Sequence, residues 1–365
     1  MHDERELAER RITRELADRV VPLVHVDLVP LTIAAGPDPD HLAPFTAGDR
    51  WGAPWSTTWF ELTGHVPDSW TSAGMHRRVE AVIDLGFHPD AAGFQCEGMV
   101  VDRAGRPVQG IHPRRTGFVL PSDAREVDLL VEAAANPSFV QFRPSALGDP
   151  ATLPTEHPGL YRFRRADLAL VDTEAEALAH DLDVLDGVMR TLPTDDPRRI
   201  RLRRSITDAL DALARAHPGD RPAIHEARHI VRRALEVPAR ASAHRIVATG
   251  HAHIDTAWLW PIRETVRKCT RTFASAVRLM DEEPGYRFSC SQAQQYAWIE
   301  ERHPDLFERI RAKVEHGQWI PVGGSWVEAD MNLPSGESLV RQIVHGQRWF
   351  ADRFGVECTE MWIAD

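Results

Sequence analysis

Gly250-His251-Ala252-His253-Ile254-Asp255-Thr256-Ala257-Trp258-Leu259-Trp260-Pro261 follows directly on a short apolar run, Ile246-Val247-Ala248. In extended backbone, alternate side chains share a face, so His253 and Asp255 can converge on one ion, with His251 at the next alternate position. Imidazole plus carboxylate is a donor set that suits Zn²⁺. Trp258 follows on the same loop and offers a flat apolar wall. A strand end whose histidines merely hydrogen-bond would need no such tryptophan. The stretch reads as a metal site with a ring-lined subsite beside it.

The surrounding sequence supplies a framework for that site. From 241 onward, strand and helix patterns alternate. Residues 246–249 read as a strand, and 262–281 as a helix with Val266, Phe273, Val277 and Met280 on one stripe. A strand is expected at 286–290, then a helix of Leu306, Ile310 and Val314 that stops at Gly317. A third strand is expected at 319–322, followed by a helix carrying Leu339, Ile343, Phe350 and Phe354 and closed by Gly355. A fourth falls at 361–364. Such alternation indicates a parallel sheet of βα units, open or closed into a barrel. Reactive or sugar-binding types follow each strand: His253, Asp255 and Trp258; Gln292, Gln294 and Gln295; Trp326, Glu328 and Asp330; and Asp365. The C-terminal ends of parallel strands share one rim, where α/β enzymes place their sites. Trp258 and Asp330 are the candidate sugar-contacting residues of that rim.

Upstream the texture differs. Residues 1–20 read as a polar helix with Leu7, Ile12 and Leu16 on one side. Residues 21–173 are rich in short alternating runs, Gly and Pro, and a β-sandwich or jelly roll is expected there. Val127, Leu129 and Val131 mark one half-buried strand. Residues 99–101 and 107–108 flank a hairpin loop at 102–106. Trp51, Trp55, Trp59 and Trp70 could stack on sugars, but core anchoring is the favoured reading. Residues 174–240 turn helical, with stripes of Leu178, Leu182, Leu185 and Met189, then Ile206, Leu210 and Leu213, then Ile224, Val231 and Leu235. The expected fold is thus α/β and multidomain: an N-terminal helix (1–20), a β-sandwich (21–173), a helical segment (174–240) and the first four βα units of an incomplete β/α barrel (241–365).

At 365 residues the chain exceeds one ordinary core. Its net charge of −11 argues against nucleic acid as a partner. Cys96, Cys269, Cys290 and Cys358 match no zinc or redox spacing. The charged start, Met1-His2-Asp3-Glu4-Arg5-Glu6, lacks the apolar core of a signal peptide, and no stretch reads as a membrane span. A cytoplasmic setting with free thiols is expected.

Two rival motifs compete for the metal. His225-Glu226-Ala227-Arg228-His229 matches H-E-x-x-H on an expected helix. Arg228, Arg232 and Arg233 crowd that helix with positive charge, and the position six beyond His229 is Leu235, which cannot be a third ligand. The His251-x-His253 pair also fits a metal-dependent amidohydrolase. That class would require further histidines after later strands, where this chain has Trp326, Asp330 and Asp365.

Several phrases resemble the family 38 glycoside hydrolases, the class II α-mannosidases, and in particular their cytosolic and vacuolar branch. They are Gly250 to Pro261, Ser291-Gln292-Ala293-Gln294-Gln295-Tyr296, Gly323-Gly324-Ser325-Trp326-Val327-Glu328 and Asn332-Leu333-Pro334-Ser335-Gly336-Glu337-Ser338. Trp362-Ile363-Ala364-Asp365 follows in order, where that branch more often has Leu-Pro-Asp. Upstream, Trp55-Ser56-Thr57-Thr58-Trp59-Phe60 and Glu97-Gly98-Met99-Val100-Val101-Asp102 resemble its N-terminal β domain. The resemblance runs from about residue 50 to the end. It implies one Zn²⁺ held by His253, Asp255 and Asp365, with Asp365 also the nucleophile and Trp258 lining the subsite of the cleaved sugar. The implied activity is zinc-dependent, retaining hydrolysis of terminal α-mannosides of glycans or oligosaccharides, and a homo-oligomer is compatible with it. Family members continue for hundreds of residues past this aspartate, bringing a histidine ligand, the general acid and further β domains. The chain is therefore expected to be an N-terminal portion of such an enzyme, inactive alone. A non-catalytic carbohydrate-binding module is the remaining alternative.

Overall fold

The computed structural model describes residues 4–362 apart from 71–73, 75, 90–92, 139–158, 240 and 257. Two antiparallel sheets form the expected sandwich. One runs in the order His25–Pro30, Arg165–Asp172, Arg77–Asp84, Gly117–Val119. The other runs Ala43–Phe45, Thr32–Gly36, Thr57–His65, Glu126–Ala134, Glu97–Val101, Pro107–Ile111. Alternation along Thr57–His65 sends Phe60 and Leu62 inward, where they stand opposite Val131 and Leu129 in register. Phe60 packs edge-on against Trp51 at 5.4 Å and tilted against Phe163 at 4.8 Å. Trp51, Trp55 and Trp70 are buried, so three of the four clustered tryptophans lie in the interior. The hairpin around 102–106 joins Glu97–Val101 to Pro107–Ile111 as expected. Leu130, on the opposite face of its strand from Val131, is also buried, under Met99 and Val101.

The helical segment contains α2 (Thr173–Thr191), α3 (Pro197–Ala212) and α4 (Arg221–Leu235). Each begins at an aspartate, Asp172, Asp196 or Asp220, whose carboxylate accepts backbone N–H groups of the first turn. The N-terminal helix α1 (Glu4–Glu15) is far away in sequence but joins this unit: Ile12 shares a core with Leu178, Leu182, Ile206 and Val231. Arg199 ties the pieces together by pairing with Glu9 at 2.8 Å.

Beyond residue 241, α5 (Ile262–Glu282), α6 (Ala293–Arg302), α7 (Pro304–Glu315) and α8 (Gly336–Phe354) surround a short parallel pair, Phe288–Cys290 with Trp319–Pro321. Helix α6 was not foreseen from the sequence. The strand expected at 246–249 does not form. The chain pairs with the sheet only at Gly250, bridged in parallel to Phe288, while Ile246 and Val247 stay exposed. A strand needs a partner along its length, and here the pairing begins two residues past the apolar run. Of the strand expected at 361–364, Met361 and Trp362 lie in irregular backbone and 363–364 fall outside the described residues. Gly355 closes α8 in the left-handed conformation, φ 66°.

Helix α5 differs from its expected amphipathic form. Phe273, Val277 and Met280 face the core of the βα region, but Glu264, Lys268 and Arg271 are buried as well. Their spacing places them on a second stripe, docked on the jelly roll. Lys268 Nζ donates to Glu97 Oε1 at 2.5 Å and to the Gly93 carbonyl at 2.8 Å. Arg271 pairs with both Glu97 and Glu264, and Asn136 donates to Glu264 at 2.8 Å. Ser275 Oγ accepts from the Gly110 amide at 2.9 Å. A buried charge network therefore sets how the sandwich meets the βα region.

Candidate active site

The loop after Gly250 is held from beneath by amide side chains. Gln292 and Gln295 both donate to the Ile254 carbonyl, at 2.9 and 2.7 Å. Gln292 also accepts from Thr256 Oγ1 and from the Glu328 amide. To do this it adopts φ 65°, ψ 90°, a region that L-residues rarely occupy. Thr265 Oγ1 donates to the Thr256 carbonyl at 3.0 Å and accepts from Trp260 Nε1 at 2.9 Å. The loop is thus fixed at 254, 256 and 260 by buried polar groups.

On this support, His253 Nε2 faces Asp255 Oδ1 at 3.3 Å. Behind it, His253 Nδ1 lies 3.1 Å from Glu328 Oε2, and Ser291 Oγ donates to the other oxygen of Glu328 at 2.7 Å. An imidazole that gave its Nδ1–H to Glu328 would hold the Nε2 lone pair toward Asp255, the tautomer a metal ligand needs. Two tetrahedral ligands at about 2.0–2.2 Å from one Zn²⁺ sit roughly 3.3–3.5 Å apart, so the His253 and Asp255 donors fit a shared ion. Among the described residues no third His, Cys, Asp or Glu joins them. Asp365, expected as third ligand and nucleophile, lies outside the described residues. His251 stands aside: its Nδ1–H goes to the Ser289 carbonyl at 2.8 Å, and its ring packs 4.7 Å from that of Trp362.

A cavity of about 590 Å³ opens over these groups, lined by His253, Asp255, Glu328, Asp330, Gln342 and Trp362 among others. Residues 253, 255, 328 and 330, from two separate loops, are therefore brought together around one cavity. Asp330 turns one oxygen back to the Asn332 and Leu333 amides, at 2.6 and 3.2 Å, which fixes its loop. Helix α8 reaches the site because Gly346 has no side chain: a Cβ there would meet Ser325 C at 2.3 Å. Trp258 is not on the cavity wall. It sits outside, packed on Phe94 and Trp260.

The rival motif is a separate place. His225 and His229 line a cleft between α2 and α4 with Glu174, Asp181, Arg228 and Arg232. No metal-holding group forms there among the described residues. Sequence reasoning missed Glu328 as the carboxylate behind His253, and missed Gln292 and Gln295 as its supports. Their signal was present as position on the rim, with nothing to separate a ligand from a support.

Residues 243–365 match the family described as Glycosyl hydrolases family 38 N-terminal domain, and residues 21–169 match Alpha-mannosidase, jelly roll domain. Alpha-mannosidase 2C1 of Homo sapiens is 36% identical over 88% of this chain and 30% of its own length. The Alpha-mannosidase of Saccharomyces cerevisiae is 33% identical over 86% of this chain and 29% of its own. Alpha-mannosidase G of Dictyostelium discoideum is 30% identical over 87% and 28% respectively. The chain spans about 30% of the length of the curated relatives it matches.

Proposed function

The chain belongs to glycoside hydrolase family 38, carrying its N-terminal domain behind an α-mannosidase jelly roll, and on that premise we propose that it supplies the metal-holding side of a zinc-dependent, retaining α-mannosidase acting on terminal α-mannosides of glycans. The observation that carries this reading is the facing pair His253 Nε2 and Asp255 Oδ1 with Glu328 behind the imidazole. Zn²⁺ bound there would act as a Lewis acid on neighbouring sugar hydroxyls. His253 and Asp255 would supply two ligands and Asp365 a third. Asp365 is assigned as the nucleophile: its carboxylate would attack the anomeric carbon as the glycosidic bond breaks and a general acid protonates the leaving oxygen, and water would then release the sugar from the ester. Two inversions give net retention. Asp330 and Trp258 are assigned to sugar contact. The setting is the cytoplasm, a reading supported by the four cysteines, which are free and buried.

The test is metal analysis together with product stereochemistry. Asp255→Ala should lose stoichiometric zinc while His229→Ala keeps it; the opposite result would move the metal to α4. Proton NMR of the earliest product released by a complete enzyme carrying this chain should show α-mannose. β-Mannose appearing first would exclude the double displacement.

A further inference from the structure

Phe94 and Trp258 come from different parts of the chain, the loop before strand Glu97–Val101 and the loop after His253 and Asp255. Their rings lie 5.1 Å apart. Rings that only fill a core are buried, as Trp51 and Trp70 are, yet Phe94 is 40% and Trp258 44% exposed. One buried ammonium supports both. Lys268 Nζ binds the carbonyl of Gly93, next to Phe94, at 2.8 Å. The same Nζ lies 4.9 Å from the ring of Trp260, which meets Trp258 edge-on at 5.0 Å. Glu97 holds that ammonium in place at 2.5 Å. Two half-exposed rings thus stand side by side outside the cavity, Trp258 on the loop that carries the metal donors and Phe94 on the jelly roll facing it. A pyranose has apolar C–H faces and polar edges, which suits an aromatic wall beside a polar site.

We propose that Phe94 extends the wall begun at Trp258 and stacks on a second mannosyl unit, the neighbour of the one at His253 and Asp255, so that the jelly roll takes part in choosing the substrate. Phe94 is then a specificity-determining residue and Lys268 a positioning residue. The inference rests on the α-mannosidase reading for the identity of the sugar. It implies a preference for oligosaccharides over simple mannosides.

The experiment measures calorimetric affinity of the zinc-loaded chain for methyl 1-thio-α-mannoside and for an S-linked α-mannobioside, neither of which is readily cleaved. Wild type should prefer the disaccharide. Phe94→Ala should weaken disaccharide binding about three- to tenfold and leave monosaccharide binding unchanged. Phe94→Trp should restore the preference, which rules out a mere folding defect. Equal losses for both sugars, or a wild type with no preference, would overturn the proposal. A wild type that shows the preference while Asp255→Ala keeps its full zinc content would support the wall and sink the metal reading instead.

Discussion

Phe60, Leu62 and Val131 of the jelly roll are out of solvent entirely, whereas in the βα region Ile246, Val247 and Leu333 are 86%, 82% and 87% exposed. In both places the sequence offers short apolar runs. The difference lies in how each architecture finds partners. Antiparallel strands pair through tight turns, as Glu97–Val101 does with Pro107–Ile111, and the two sheets then close on each other. Parallel strands are joined through long crossovers and are covered on both faces by the helices those crossovers carry. The described pair Phe288–Cys290 and Trp319–Pro321 offers few edges, and the run before Gly250 gains only one bridge. Burial in the βα region comes mostly from helices and from the jelly roll itself, through α5.

That comparison can be broken where it is strongest. Phe60→Ala removes a ring packed on Phe45, Trp51 and Phe163 and should cost about 3–5 kcal/mol in urea unfolding of the whole chain. A loss under about 1 kcal/mol would show that the sandwich core is looser than its burial suggests.

Next in size is the seam between the regions. Lys268→Met leaves Glu97 with Arg271 as its remaining buried partner and should cost about 3 kcal/mol, the low end for breaking a buried pair. Hydrogen exchange should quicken on both sides of the seam. Faster exchange in the jelly roll alone would mean that the charges do not join the two parts.

The same network predicts a pH dependence. Burial pushes the Glu97 carboxyl up, but Lys268 and Arg271 outweigh that and hold it down from the ordinary 4.5 to about 2. A carboxylate depressed in the folded state stabilises fully above its unfolded value and loses that contribution as pH falls toward the folded one. Between about pH 4.5 and pH 3, the wild-type melting temperature should therefore drop more steeply than that of Glu97→Gln. Parallel curves would remove Glu97 from the account.

The smallest effect belongs to the exposed run. Ile246→Ser should change stability by no more than about 0.5 kcal/mol. A loss above about 1 kcal/mol would reveal packing at 246–249 and erase the contrast with the jelly roll.

Much of this arrangement was legible in the sequence because it is periodic or local. Alternation located the strand through Val127, Leu129 and Val131, apolar stripes located α2, α3 and α4, and Gly355 marked the end of α8. The spacing of His253 and Asp255 put two donors within reach of one ion, and the structure sets them 3.3 Å apart. The strand at 246–249 was misread because an apolar run states a tendency to pair without naming a partner. Glu328 went unrecognised as the support of His253 because the two are 75 residues apart and meet only across the rim.

By itself, then, the sequence determined what is periodic or local along the chain: the helical stripes, the glycine that ends α8, and two donors two residues apart on one loop. Tertiary structure alone decided which distant groups meet. It placed Glu328 behind His253, buried the charged stripe of α5 against Glu97, and set Phe94 beside Trp258. The physical reason is that backbone geometry is dictated by near neighbours, whereas a buried charge or an exposed ring takes its meaning from whatever the fold brings against it.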